Sequence, residues 1–251
     1  MNLVKELPSK SAPADWPSTI WWTPHWATLL DPNSPATCFI YEEGMSGQWN
    51  QFEADTVAAL ILSLFRRLGK QPSYERDPRT RAIIPPDQTV YQDAEFWERG
   101  VGIVTPHRAQ QALIISRLQK IFSPLGVSNA LIRDAVDTVE RFQGQQRDVI
   151  IASYALGDQD LIRDEDEFLM SLNRFNVMVS RARTKIITLV SQEVINHLSL
   201  DVDILWESRL LKLFADSFCS MAELMTLKYY DEKEGEQTRE GTYKYLGNRS
   251  R

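Results

Sequence analysis

The sequence is poor in the residues that build disulfide or metal frameworks. It has two cysteines, Cys38 and Cys219, and its three histidines lie far apart and near no cysteine pair. This pattern predicts neither a disulfide scaffold nor a zinc site, and we expect no metal ligands. Long apolar runs are also missing, since none approaches the roughly 18 residues that a membrane-spanning helix needs. Because the N-terminus lacks the pattern of a signal peptide, we expect an intracellular protein, cytoplasmic or nuclear.

A strong excess of basic residues is missing as well. The net charge is −6, and only residues 99–190 lean basic, with 12 Lys and Arg against 10 Asp and Glu. Proteins that bind nucleic acids tightly usually carry a basic stripe, because much of their affinity comes from counterion release at phosphates. The composition therefore permits contact with a nucleic acid but does not demonstrate it.

Short apolar runs alternate with helical patterns along the middle of the chain. Four unalternating runs predict strands covered on both faces: Cys38–Tyr41, Val101–Val104, Val149–Ala152 and Ile186–Val190. Three amphipathic segments predict helices: Asn50–Leu68, Ala109–Phe122 and Ser171–Arg183. This alternation favours an α/β fold with a mostly parallel sheet and helices on both faces. Ligands of such folds gather at the carboxyl ends of the strands.

The first long helix has a clear start signal. Asn50 is a good N-cap, and Glu53, three residues later, can reach back to it in a capping box. Gly69 ends the pattern as a C-terminal cap.

The two ends of the chain look different from its middle. Residues 1–36 are rich in Trp and Pro and predict an irregular arm, either packed on the surface through its aromatic rings or serving as a base-stacking platform. Residues 37–200 form the predicted main domain, and 201–251 a C-terminal helix with a charged tail that is loose from Asp231. The acidic run Asp164–Glu167 predicts a solvated loop.

Three segments next to strand ends carry the candidate chemistry. The first segment is Gly102–Gln110, in which a buried strand stops at Pro106 and a helix begins with His107 and Gln110 in its first turn. A helix N-terminus after a buried strand exposes unpaired N–H groups and a positive dipole end, which favours an anion such as a phosphate. Alone, this pattern is common in α/β proteins.

The second segment, Asp137–Ile151, contains a polar turn between two strands. Gly144 lets the backbone come close to a ligand, while Thr138 and Gln143 supply hydrogen-bonding groups. A simple loop crossing, with Arg147 and Asp148 as a surface pair, is the alternative.

The third segment, Asn173–Arg183, predicts a helix from which Arg174 and Arg181, seven residues apart, project together. Two guanidinium groups beside the ligand edge of a sheet suit bidentate phosphate binding. A single arginine on a helix, by contrast, is usually a solvated surface residue.

Together the three segments resemble motifs IV, V and VI of superfamily-one helicases, in order and at plausible spacing. The segments DTVERFQGQQRDVII (137–151) and NRFNVMVSRAR (173–183) look closest to the Upf1/Dna2-like branch, as does NQFEA (50–54). The resemblance covers about residues 36–192. It implies the second, C-terminal RecA-like domain of such a helicase, a three-layer sandwich with a mostly parallel sheet.

The resemblance also implies roles for individual residues. Arg181 matches the arginine finger that reaches the γ-phosphate of ATP, and three further residues are assigned to the nucleotide: Gly144, Gln146 and Arg174. Five residues are assigned to the nucleic acid, of which Gln143 could couple the two functions: Thr105, His107, Gln110, Thr138 and Gln143.

Two departures from the family pattern matter. The family more often has Glu where this chain has Gln146, so that contact loses a charge. The sequence also contains no Gly-x-x-x-x-Gly-Lys-Ser/Thr phosphate loop, and Gly69-Lys70 ends a helix instead of opening one. The expected cofactor, ATP with Mg²⁺, would therefore be bound mainly by a second RecA-like domain.

Two functions remain open. One is half of a helicase motor that acts on single-stranded DNA or RNA together with a domain carrying the phosphate loop, and that lacks ATPase activity alone. The other is a non-catalytic module that binds nucleic acids or proteins on a helicase-derived fold. Arg181 and Gly144 favour the first, whereas Gln146 and the acidic balance favour the second.

Overall fold

The computed structural model describes residues 16, 22–23, 25–31, 33–68, 79, 91, 93–142, 144–231 and 235–247. Within these residues seven strands form one sheet: β1 (Ala36–Tyr41), β2 (Val101–Thr105), β3 (Val136–Thr138), β4 (Arg147–Ser153), β5 (Ala182–Ser191), β6 (Met221–Asp231) and β7 (Gly235–Tyr245). The four predicted strands are confirmed as β1, β2, β4 and β5, each longer than its apolar run, and β5 is twice as long.

The helices of the described residues follow the strands in the expected alternation. They are α1 (His25–Leu29), α2 (Gln51–Leu68), α3 (Asp93–Glu95), α4 (Arg108–Phe122), α5 (Asn129–Ala135), α6 (Gln159–Asp164), α7 (Asp166–Leu169), α8 (Leu172–Ser180), α9 (Gln192–Asn196) and α10 (Val202–Leu213). Short π-helical turns precede β2 and follow α10, and a 3₁₀ turn follows α4. No helix among the described residues is long and apolar enough to cross a membrane.

The sheet is mostly parallel, as predicted. Its strand order is β3-β2-β4-β5-β1-β7-β6, and the first five strands run parallel to one another. β7 pairs antiparallel with β1, and β6 pairs antiparallel with β7. This arrangement has the RecA-like α/β architecture, so the predicted fold class is confirmed.

Successive strand residues alternate between two apolar cores, one on each face of the sheet. Phe39 of β1 and Ile151 of β4 belong to the core under α2, α4 and α5. Cys38 and Ile150, one residue earlier in each strand, belong to the core under α8 and α10. Because both faces are covered, the strands carry unbroken apolar runs rather than an alternating pattern.

The end of the chain differs from the prediction. The C-terminal helix exists as α10, but the loose tail expected from Asp231 is wrong, since β6 and β7 form a hairpin that extends the sheet beside β1. A Cβ at Gly241 would lie 2.4 Å from the carbonyl oxygen of Ile40, so only glycine fits where β7 meets β1. The acidic run, too, is largely helical, in α6 and α7.

The N-terminal arm lies mostly outside the described residues. Its described part includes α1, whose Trp26 is buried in the core beneath α2, and Trp16 and Trp22 pack against the same core. Such contacts are what we expect if the arm packs on the surface through its aromatic rings.

Candidate functional site

The candidate residues divide between two opposite edges of the sheet. The five parallel strands all end at one side, here named the carboxyl edge, and begin at the other, the amino edge. Thr105 and Thr138 are the last residues of β2 and β3 and therefore lie at the carboxyl edge. Gln146 and Arg181 immediately precede β4 and β5 and therefore lie at the amino edge.

At the amino edge, the backbone joins the second and third segments. The N–H of Arg147 donates to the carbonyl of Arg181 at 3.0 Å. Gln146 is exposed, and its side-chain oxygen accepts a long bond from Nε of Arg183 at 3.5 Å. Gly144 has a φ of +88° and no atom within 4 Å of where a Cβ would stand. Its left-handed conformation and open surroundings leave the backbone there approachable.

Arg181 ends α8 with an unsatisfied donor. Its Nε is buried and has no hydrogen-bond partner. Nε of Arg147 is also buried without a hydrogen bond. Burial lowers the pKa of Arg147, partly offset by Glu98 and Asp134, while the Arg183 charge lowers it further. The other two nitrogens of Arg147 donate to the carbonyl of Gln146 at 3.1 Å and to Oε1 of Gln145 at 2.9 Å. An unsatisfied guanidinium donor is costly, so the positive charge at this edge is suited to receive an anion.

Arg174 does not join Arg181, contrary to the prediction. α8 begins at Leu172 near the carboxyl edge and ends at Ser180 by the amino edge, so the two arginines lie at its opposite ends, about 10 Å apart along the axis. Nε of Arg174 donates to Glu140 at 2.9 Å, and its guanidinium stacks over Phe168 at 4.1 Å. The predicted helix to Arg183 was too long, because the chain turns into β5 at Ala182.

At the carboxyl edge, Gln110 is a structural residue in this conformation. Its side chain is fully buried; its Oε1 accepts from the N–H of Asn50 at 2.8 Å, and its Nε2 donates to Ser153 at 2.9 Å. Asn50 caps α2 by accepting from the N–H of Glu53 at 3.1 Å, as predicted. The reciprocal half of the capping box is different, because Gln110 rather than Glu53 binds the N–H of Asn50.

The other residues assigned to the nucleic acid are also mostly enclosed. Thr105 is fully buried, and Thr138 and His107 are each 6% exposed. The carbonyl of Thr138 accepts from the N–H groups of Arg141 and Phe142, which holds the following turn. Gln143 lies outside the described residues. The nucleic-acid roles of these residues stay predictions.

A buried carboxylate at the same edge was not anticipated. Glu53 is fully buried, and it accepts hydrogen bonds from the hydroxyls of Tyr41 and Ser153 and from the N–H of Ala155. Burial raises the pKa of Glu53 to about 7, although these hydrogen bonds act in the opposite direction. The sequence did carry a signal, since Glu53 lies four residues before Val57 on the same buried stripe of α2.

The structure gives no sign of a metal site in the part of the chain it describes. Those residues contain no group of three or more His, Cys, Asp or Glu side chains that could hold a metal ion. Cys38 and Cys219 are free and buried.

The comparisons with known proteins agree with the fold and the motifs. A family model described as an AAA domain matches residues 40–193, and the chain belongs to this family. The matched range is close to the 36–192 expected from the motifs. The likeness to Upf1/Dna2-like superfamily-one helicases is thereby confirmed.

Curated relatives match parts of the chain. The chain is 36% identical to the probable helicase senataxin of Homo sapiens over 92 residues, 37% of this chain and 3% of that protein. It is 27% identical to the probable RNA helicase armi of Drosophila melanogaster over 131 residues, 51% of this chain and 10% of that protein. It is 32% identical to regulator of nonsense transcripts 1 of Dictyostelium discoideum over 114 residues, 43% of this chain and 7% of that protein. The matched regions cover a tenth or less of these relatives.

Proposed function

We propose that the chain is the C-terminal motor domain of an ATP-dependent helicase. In this function it supplies the arginine finger, Arg181, and one side of a nucleic-acid groove, while a second RecA-like domain carries the phosphate loop. The observation that supports this proposal is the buried Nε of Arg181, which has no hydrogen-bond partner at the amino edge of the sheet.

The residues at the amino edge fit the phosphates of ATP. Arg181 offers a positive charge and a donor without an acceptor, and Gly144 leaves its backbone open to approach. ATP with Mg²⁺ would supply the phosphoryl group and the charge neutralisation that its transfer needs. Gln146 adds a neutral polar contact there, whereas Arg174, paired with Glu140, is held away at the other end of α8.

The nucleic-acid side of the proposal concerns the carboxyl edge. Thr105 and Gln110 have no exposed side-chain surface, so in this conformation they act by shaping the edge and not by touching a strand. A strand that passes Thr138 would meet mainly the turn after β3, where Glu140 holds Arg174. Binding there would be weak, sequence-tolerant and sensitive to salt.

The first experiment measures ATP hydrolysis by the pure chain, and then by the chain mixed with a RecA-like protein that carries the phosphate loop. We expect negligible turnover by the chain alone, because neither a phosphate loop nor the metal ligands are supplied by its sequence. The mixture should hydrolyse ATP faster when single-stranded nucleic acid is added. Robust, strand-stimulated turnover by the pure chain would contradict the proposal.

A non-catalytic interaction module is the second candidate. A pocket lined by carboxylates beside His107, at the edge assigned to the nucleic acid, favours it. If no phosphate-loop partner restores turnover while the chain still binds a protein, this second function is the correct one.

A further inference from the structure

A cavity of about 620 Å³ opens at the carboxyl edge beside His107, two residues after the end of β2. It lies between the loop after β1, the helices α6 and α7, and the start of α8. We name it the acidic pocket, and its lining comprises Gln48, His107, Asp164, Glu165, Glu167, Phe168, Ser171, Arg174 and Glu207.

The charge of the acidic pocket excludes a phosphate. Four of its lining side chains are carboxylates and one, Arg174, is a guanidinium, which leaves a net charge of −3 when His107 is neutral. Arg174 is also paired with Glu140, a fifth carboxylate just outside the lining, at 2.9 Å. Burial lowers the pKa of His107, against the opposing effect of Glu165 and Glu140, which favours the neutral ring.

His107 provides the second, independent sign of a ligand. Only 6% of this residue is exposed, and its buried Nε2 has no hydrogen-bond partner. The facing oxygen, Oε2 of Glu165, is 3.6 Å away, too far for a hydrogen bond. The other oxygen of Glu165 is held by Gln48 Nε2 at 2.6 Å. Nε2 of His107 therefore faces Oε2 of Glu165 without a hydrogen bond between the two atoms.

The other carboxylates are not equally available. Glu207 accepts from the backbone N–H of Leu172 at 3.1 Å and so caps α8. Asp164 and Glu167 are exposed at the rim. A metal ion is not the expected occupant, because the described residues hold no cluster of three suitable ligands. A group that carries several N–H donors and a positive charge satisfies both His107 and Glu165.

We propose that the acidic pocket binds a lysine or arginine side chain presented by a protein partner, with its N–H groups donating to Nε2 of His107 and Oε2 of Glu165. Phe168 forms an apolar wall for the methylene stem, since its ring lies 5.7 Å from that of His107. The proposal needs no nucleotide and does not involve Arg181 at the amino edge, but it removes His107 from the nucleic-acid groove assigned to the same carboxyl edge. It replaces the role of His107 as a phosphate contact.

The test uses the full chain, labelled with ¹⁵N in its three histidine rings, and NMR titration with an amidated tetra-arginine peptide. A tetra-glutamate peptide and a single-stranded oligo-thymidine are titrated in parallel. We expect only the arginine peptide to move the Nε2 resonance of His107, while His25 and His197 stay unchanged. Binding of this peptide should weaken about tenfold in Glu165→Gln, which loses the charge but keeps the shape.

Asp160→Asn is the matched control. Asp160 lies on α6, does not line the acidic pocket and pairs with Arg163 at 2.7 Å, so this variant removes the same charge from the same segment. Its effect on peptide binding should be less than twofold. Equal weakening by the two variants would mean that the peptide is attracted only by general charge, which contradicts the proposal. A shift of His107 caused by oligo-thymidine and enhanced by Glu165→Gln would assign the pocket to nucleic acid instead.

Discussion

At the scale of single residues, the partly buried Arg181 and the fully buried Glu53 mark the two edges of the sheet. Nε of Arg181 is a donor without an acceptor, whereas Glu53 is an acceptor with three donors. Asn50 donates to the Tyr41 hydroxyl and Gln110 donates to the Ser153 hydroxyl, so both hydroxyl protons point at Glu53. The carboxylate of Glu53 thus has hydrogen-bond donors for both of its oxygens, which holds the carboxyl edge together. At the amino edge, by contrast, Nε of Arg181 has no acceptor.

The pH dependence of folding should report on Glu53. Its pKa is raised from an ordinary 4.5 to about 7, so between these values the folded protein holds a proton that the unfolded chain has released. The resulting stabilisation is complete below pH 4.5 and is lost as the pH rises through 7. Between pH 5 and pH 7 the wild type should lose about 2 kcal/mol of unfolding free energy that Glu53→Gln does not lose. Urea denaturation at both pH values measures this difference.

The comparison with Glu53→Gln cancels the contribution of Lys185, which titrates near the upper end of this pH range and has the opposite sign. Burial lowers the pKa of Lys185 from 10.5 to about 7, so its stabilisation is present above pH 10.5 and is lost as the pH falls through 7. Equal pH slopes for the wild type and Glu53→Gln below pH 7 would show that Glu53 is ionised throughout. In that case the three hydrogen bonds, and not burial, dominate its pKa.

At the scale of elements, the connection from β3 to β4 links the two edges. Its described residues, 139–142 and 144–146, lie between the carboxyl edge of β3 and the amino edge of β4, and Phe142 packs beside Gly102 of β2. A Cβ at Gly102 would lie 2.5 Å from Phe142 and 2.8 Å from Arg147. The glycine therefore allows this crossing segment, which carries Gly144 and Gln146, to pack directly on the sheet.

Gly102→Ala should accordingly destabilise the fold. The added methyl group has to displace the Phe142 ring and the Arg147 stem, at a cost of about 1–3 kcal/mol typical of overpacking. Gly44→Ala is the control, because no atom lies within 4 Å of its Cβ position and its φ is not positive. Thermal denaturation of both variants measures the difference. A Gly102→Ala protein as stable as Gly44→Ala would show that the segment does not pack there.

For the molecule as a whole, the sequence predicts the parallel part of the sheet and misses its antiparallel extension. The apolar runs of β1, β2, β4 and β5 are strong signals because both faces of these strands are buried. β7 carries mostly polar residues on both faces, and its buried residue is Tyr243. Its sequence therefore resembles that of a charged tail. β6 did carry a signal, since Met225, Leu227 and Tyr229 are buried at every second position.

The candidate site was predictable in its residue types and not in its geometry. Local patterns identified Arg181 and Gly144, but helix periodicity alone could not show that the chain leaves α8 before Ala182. The burial of Gln110 depends on Asn50 and Ser153, which are 60 and 43 residues away along the chain. Such contacts arise from the packing of α2 and α4 against β4, and a linear motif does not contain them.

The central claim is that Arg181 completes an ATPase site shared with a second domain, and ATP hydrolysis by the reconstituted complex tests it most directly. An arginine finger contributes about 10³–10⁵-fold to turnover, or roughly 4–7 kcal/mol of barrier, whereas an ordinary surface arginine changes stability by about half a kcal/mol. Arg181→Ala should therefore abolish strand-stimulated hydrolysis while folding and strand binding persist. Arg183→Ala, which removes an exposed guanidinium two residues later on β5, should have a much smaller effect. Equal and small effects of the two substitutions would contradict the claim and leave the chain with the fold of a helicase domain but not its function.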